Sequence, residues 1–78
     1  MTYYVIKFVW KDSNNFIQTA YVGSCDFNEA KKFDNIEAAK NYYKKYNSYF
    51  KFITKRKNSA TYISKIVINI EIEDVEKI

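Results

Sequence analysis

The run TYISKIVINIEIE, Thr61 to Glu73, alternates apolar and polar residues more clearly than any other segment of the chain. It sets Ile66, Ile68, Ile70 and Ile72 on one side against Lys65, Val67, Asn69, Glu71 and Glu73 on the other, the period of a strand with one buried face. Such a strand needs a sheet to pair with and a second layer to cover its apolar side. TYYVIKFVW supplies another strand, with Tyr4, Ile6, Phe8 and Trp10 on one face and Tyr3, Val5, Lys7 and Val9 on the other. KDSNN is rich in residues that bond their own backbone in turns, and FIQTAYVG reads as a strand ending at Gly23. The five-residue spacing predicts a hairpin with Trp10 opposite Phe16 and Ile6 opposite Ala20.

The covering layer is one helix. DFNE and DNIE each place an acceptor three residues before a Glu, the reciprocal cap of a helix start. The first predicts a turn or two over 27–31. The second predicts a helix over about Asn35–Tyr46 with Ile36, Ala39, Tyr43 and Tyr46 as its buried stripe. After Asn47-Ser48, YFKFITK alternates again and predicts a third strand over Tyr49–Lys55. Phe50 and Phe52 would then face the core, with Tyr49, Lys51 and Ile53 facing away. The expectation is a single α+β domain over residues 1–78, in the order ββαββ. A four-stranded, mainly antiparallel sheet carries one main helix on one face.

Composition narrows the function. Apolar residues make up 47% of the 78, aromatics 19%, and there is one Gly and no Pro, so a packed core is expected rather than a low-complexity tail. Cys25 is alone, which points to a reducing compartment. The N-terminal apolar run is broken by Lys7 and is too short to span a bilayer. It also lacks the layout of a signal peptide, so the expected location is cytoplasmic, away from membranes. With no His, the usual general base near neutral pH is missing. Cys25 has no His or Cys partner, and no Gly-rich phosphate loop is present. The expectation is a protein without catalytic residues, metal or cofactor. Glu71 and Glu73 share a face in the predicted strand, where they would be able to hold Mg2+ through water. Guarding a last strand against edge pairing is the simpler role for them.

Two features point to a partner. A single helix covers one face of a four-stranded sheet, which leaves Tyr3, Val5, Tyr21, Tyr49 and Ile53 on an expected open face. A contiguous apolar patch of that kind marks an interaction site or a seam with a second copy. Charge is also uneven: residues 31–57 sum to +7, with nine Lys or Arg against Asp34 and Glu37. Lys51, Lys55, Arg56, Lys57 and Lys65 are the candidate charged contacts. The block over residues 40–57 carries seven Lys or Arg and no acid; interleaved with tyrosines, these cations also fit a single-stranded nucleic-acid platform, or a sponge for a signalling nucleotide set in a dimer seam. The Gly-containing aromatic signature of RNA-recognition sheets is missing from YFKFITK, however.

The acidic cap DFNE, the segment Ala30-Lys31-Lys32-Phe33, the DNIEAA helix start (Asp34, Glu37, Ala38, Ala39) and the acidic final strand together resemble small proteins of phages and mobile elements. The similarity covers about two thirds of the chain and leaves out Tyr49–Lys55 and the basic turn after it. It implies a non-enzymatic protein that binds and blocks a bacterial host or defence protein in the host cytoplasm, as anti-CRISPR inhibitors do. Inhibitors that mimic DNA are strongly acidic, whereas this chain carries +4. The resemblance therefore implies contact with an acidic patch, steric blockage or forced dimerisation.

Overall fold

A computed structural model describes residues 1–78. It contains β1 (Thr2–Lys11), β2 (Ile17–Tyr21), α1 (Ile36–Tyr46), a 3-10 turn (Asn47–Phe50), α2 (Lys51–Thr54), β3 (Ala60–Val67) and β4 (Ile70–Lys77). The four strands form one antiparallel sheet in the order β2-β1-β3-β4. The fold is α+β, as the alternating runs and the single helical stripe require.

β1 and β3 are the central pair, with Ile6 directly opposite Ile63 and Tyr3 opposite Ile66. Both faces of this pair are buried. On the helix face, Ile6, Phe8, Val22, Phe33, Ala39, Ile53 and Ile63 form the main core, with Tyr42, Tyr43 and Phe50 packed around it. On the reverse face, Tyr3, Val5, Ala30 and Ile66 form a second core against Tyr21 and Phe27. The β2–α1 connection makes that second core. It leaves β2 through Gly23, whose φ of +96° suits a residue without Cβ. It then crosses the reverse face at Phe27 and Ala30 and returns along the edge of β1, where Phe33 exchanges backbone bonds with Tyr4.

This connection is not the predicted short helix. Asp26 Oδ1 accepts from the Asn28 N–H at 3.0 Å and the Ser24 hydroxyl from the Asp26 N–H at 3.1 Å, local bonds that compete with a helix. The cap of α1 is Asn35 rather than Asp34, its Oδ1 accepting from the Ala38 N–H at 2.7 Å.

Three further expectations are corrected. The hairpin register moves by two residues, Trp10 lying opposite Gln18 and Phe8 opposite Ala20, so the faces are kept. Asp12 is the cause: its carboxylate accepts from the N–H groups of Asn14 and Phe16 and from Gln18 Nε2. Those bonds close the loop before Ile17. Tyr49–Lys55 is helical rather than a strand. Asn47 has right-handed helical geometry (φ −58°) and no Gly follows it, so the chain keeps turning. Phe50 and Ile53, three apart, reach the core, while Tyr49 and Phe52 are 71% and 70% exposed. Finally, Thr61–Glu73 is two strands. The chain reverses at Ile68-Asn69, both at positive φ (50° and 61°), the geometry of a two-residue hairpin turn. The fourth strand thus comes from splitting the last run in two, not from Tyr49–Lys55.

Candidate functional site

The expected open face is largely covered. Val5 is 0% exposed and Tyr3 6%, both beneath the β2–α1 connection, and Ile53, on α2, is 5% exposed in the helix-face core. Tyr21 is half-buried and donates to Glu71 Oε2 at 3.2 Å. Of the five, only Tyr49 is broadly exposed, and it stands on the 3-10 turn rather than on the sheet. The sequence signal failed here because a loop of irregular structure, invisible to periodicity, supplies the second covering layer.

Around Tyr21 the reverse face carries a polar cluster. Lys7 Nζ lies 2.9 Å from Asp74 and 3.7 Å from Glu71, and Ser64 donates its hydroxyl to Asp74. Glu71 and Asp74, three apart, would lie on opposite faces of a regular strand. Register shifts opposite Ile63/Ser64 and Lys65/Ile66 bring both to the reverse face. The same shifts part Glu71 from Glu73, which pairs with Lys65, so these two do not share a face as the alternation predicts. Burial and the Glu71 carboxylate push the Tyr21 phenol up to about 12. Burial alone would raise Asp74, but its bonds with Lys7 and Ser64 hold it below the usual carboxylate value. Ser64 is fully buried and every partner in the cluster is engaged, so it latches β4 to β1 and leaves no reactive group free.

An apolar concavity lies on the helix face of the same β1–β2 pair. A groove of about 480 Å3 separates the β1–β2 hairpin from α2. Phe8, Trp10 and Ala20 form its floor, Tyr49, Phe50, Phe52 and Ile53 one wall, and Val22 to Cys25 the other. Phe50 is held by Phe8 (ring centroids 5.3 Å apart) and by stacking on Tyr43 at 5.6 Å. Arg56 is the one charged residue in the lining; its guanidinium lies 5.0 Å from the Trp10 ring centre, a cation–π arrangement. Lys11 N–H donates to the Lys57 carbonyl at 2.9 Å, and Lys57 Nζ to Asn15, fixing α2's exit against the hairpin.

Of the charged contacts expected from sequence, the structure groups Lys51, Lys55, Arg56 and Lys57 on α2 and the turn after it, all exposed. Lys65 is apart from them, half-buried in β3 opposite Tyr4 and Glu73. Trp10, Phe52 and the Val22–Cys25 wall were missed as site residues. The i, i+3 spacing of Phe50 and Ile53 was the signal that would have placed Phe52 outside the core. No helix is long and apolar enough to cross a membrane. The fold and this groove define a small α+β domain with an apolar cleft at one edge of its sheet. No protein family, curated protein or solved structure matches the chain.

Proposed function

We propose that the protein is a non-enzymatic interaction protein that acts by stoichiometric binding, and that the groove between the β1–β2 hairpin and α2 is its contact site. The observation that carries this reading is the exposure of Tyr49 and Phe52 beside Trp10 and Phe50, next to cations without acidic partners. Large exposed aromatics around a cleft form the anchor type that dominates binding energy at interfaces. The polar cluster at Lys7 is internally paired, so it supports a structural rather than a catalytic role. With the resemblance to phage and mobile-element proteins, the reading becomes an anti-CRISPR-like inhibitor that binds and blocks a bacterial defence protein in the host cytoplasm.

The test is phage plating on bacterial strains that each carry one nuclease-based defence system. Expression of the protein is expected to restore plating on one of them, and Phe52→Asp to remove the effect while the purified variant keeps its thermal midpoint. Unchanged plating on every strain contradicts the reading. A second reading is favoured by the grouping of Lys51, Lys55, Arg56 and Lys57 beside Tyr49 and Phe52: a single-stranded nucleic-acid surface, in which bases stack while cations follow phosphate. It requires binding to oligonucleotides that weakens steeply with salt.

A further inference from the structure

Ala20 and Tyr21 of β2 belong to the lining of the groove. β2 is an edge strand. Val22 N–H donates to the Ile6 carbonyl and Asp12 N–H to the Phe16 carbonyl. Antiparallel alternation then turns the backbone groups of Gln18 and Ala20 toward β1 and those of Ile17, Thr19 and Tyr21 outward. Tyr21 has its outward groups taken by Ser24, through bonds of 2.8 and 3.2 Å. Ile17 and Thr19 keep theirs free. IQTAY contains no charged residue and no Pro, and its pairing with β1 has no register shift, so apart from the Ser24 contact at Tyr21 neither charge, Pro nor bulge guards this edge.

Three properties meet here: free backbone groups on β2, an apolar cleft beside them with Arg56 in its lining, and three further cations on α2 and the turn that carries Arg56, none of the four in an ion pair. The ion pairs of the molecule involve only Lys7 and Lys40, so Lys51, Lys55, Arg56 and Lys57 have no acidic partner. We propose that β2 and the groove form a docking site for an extended, acidic segment of a partner protein. The segment adds as a strand to Ile17 and Thr19, inserts one large apolar side chain between Trp10, Phe50 and Phe52, and sets its carboxylates against Arg56 and Lys55. Strand addition takes its affinity from main-chain bonds and its specificity from alternate side-chain pockets. The charge of the partner is fixed by complementarity with the unpaired cations. This inference rests on the interaction reading above and names the chemistry of its partner.

Trp10 is the single tryptophan of the chain and lines the groove, so its emission reports occupancy. The probe is a short synthetic peptide of alternating glutamate and valine with a central phenylalanine. Three controls accompany it: the peptide with alanine at the centre, the peptide with lysine for glutamate, and single-stranded oligothymidylate. The acidic, phenylalanine-bearing peptide is expected to change Trp10 emission saturably, and both altered peptides to bind at least tenfold more weakly. Thr19→Pro, which removes an outward N–H that a strand edge tolerates losing, and Arg56→Glu are each expected to weaken binding at least tenfold with unchanged circular dichroism. Equal binding of acidic and basic peptides overturns the proposal, and so does full affinity in Thr19→Pro. A Trp10 response to oligothymidylate alone would assign the site to nucleic acid instead, and a dimer that Thr19→Pro dissociates would assign the edge to a second copy. If Phe52→Asp abolishes the plating effect while no acidic peptide binds, the interaction reading stands and this docking mode falls. If the peptide binds as described while plating is unmoved on every strain, the docking mode stands and the inhibitor reading falls.

Discussion

The two edges of the sheet are built in opposite ways. β4 carries Glu71, Glu73, Asp74 and Glu76 within its eight residues, shifts register twice against β3, and is tied inward by Lys7 and by the 2.8 Å Lys40–Glu76 pair. Charges and bulges of this kind keep an edge from pairing with another chain. β2 has five residues, no charge and a regular register, and beside it lie the groove and the exposed rings of Tyr49 and Phe52. The contrast shows that sheet exposure is controlled edge by edge. The charged, shifted edge at β4 resists strand addition, and the regular, uncharged edge at β2 is the one on which the proposed segment would add.

Removing the latch on β4 has the largest expected effect. Lys7→Met leaves the half-buried Glu71 and the exposed Asp74 without their cation, and losing charge-assisted bonds of this type costs about 2 kcal/mol. Urea unfolding should show that loss, and amide exchange should show it concentrated in β4 while β2 keeps its protection. Equal loss in both edge strands would break the comparison.

The turn that creates β4 offers a change of opposite sign. Ile68 sits at φ 50°, where a β-branched residue is strained by roughly 1 kcal/mol. Ile68→Asn should raise stability by about that amount, since Asn tolerates the left-handed region, and the urea midpoint should rise accordingly. Asn69 is best left in place, because its Oδ1 accepts from the Tyr3 hydroxyl at 3.3 Å.

The latch also sets a pH response. Tyr21 titrates at about 12 in the folded chain, above the usual 10. Its contribution to stability is therefore complete below pH 10 and is lost as pH rises from 10 through 12. Tyr21→Phe should flatten that part of the profile. Asp74 is shifted the other way, below 3.8, so its contribution holds above that pH and fades as pH falls beneath it. Unfolding midpoints measured across pH 2–12 check both signs.

The smallest stability effects belong to the outward residues of the edges, where substitutions change folding by within about 0.5 kcal/mol. Their effect on association should differ by edge. Glu73→Val is expected to produce concentration-dependent self-association in sedimentation velocity, and Thr19→Glu to leave the protein monodisperse while weakening binding of the acidic peptide. The reverse pattern would exchange the roles of β2 and β4.

Much of this architecture was legible in the sequence. Alternation found β1, β2 and the last strand, and the α1 stripe of Ile36, Ala39 and Tyr43 packs where its spacing placed it. What escaped has physical causes. Ile68 keeps the period-2 pattern through a turn that its own propensity opposes, so one strand was read where there are two. YFKFITK satisfies both the strand and the helix period over its short length, and without Gly or Pro to stop α1 the helical choice wins. The β2–α1 connection buries Ala30 and Phe27 with no period at all, which is why Tyr3 and Val5 read as an open face. The groove was legible only in part: its cations were named, but its aromatic lining joins residues from β1, β2, the 3-10 turn and α2, which only the fold brings together.

The most direct test of the central contrast is amide hydrogen exchange on the protein with and without the acidic, phenylalanine-bearing peptide. The account predicts at least tenfold slowing at Ile17 and Thr19, with the outward amides of β4 unchanged. Protection appearing on β4, or at the α1 lysines Lys44 and Lys45 with none on β2, would contradict it.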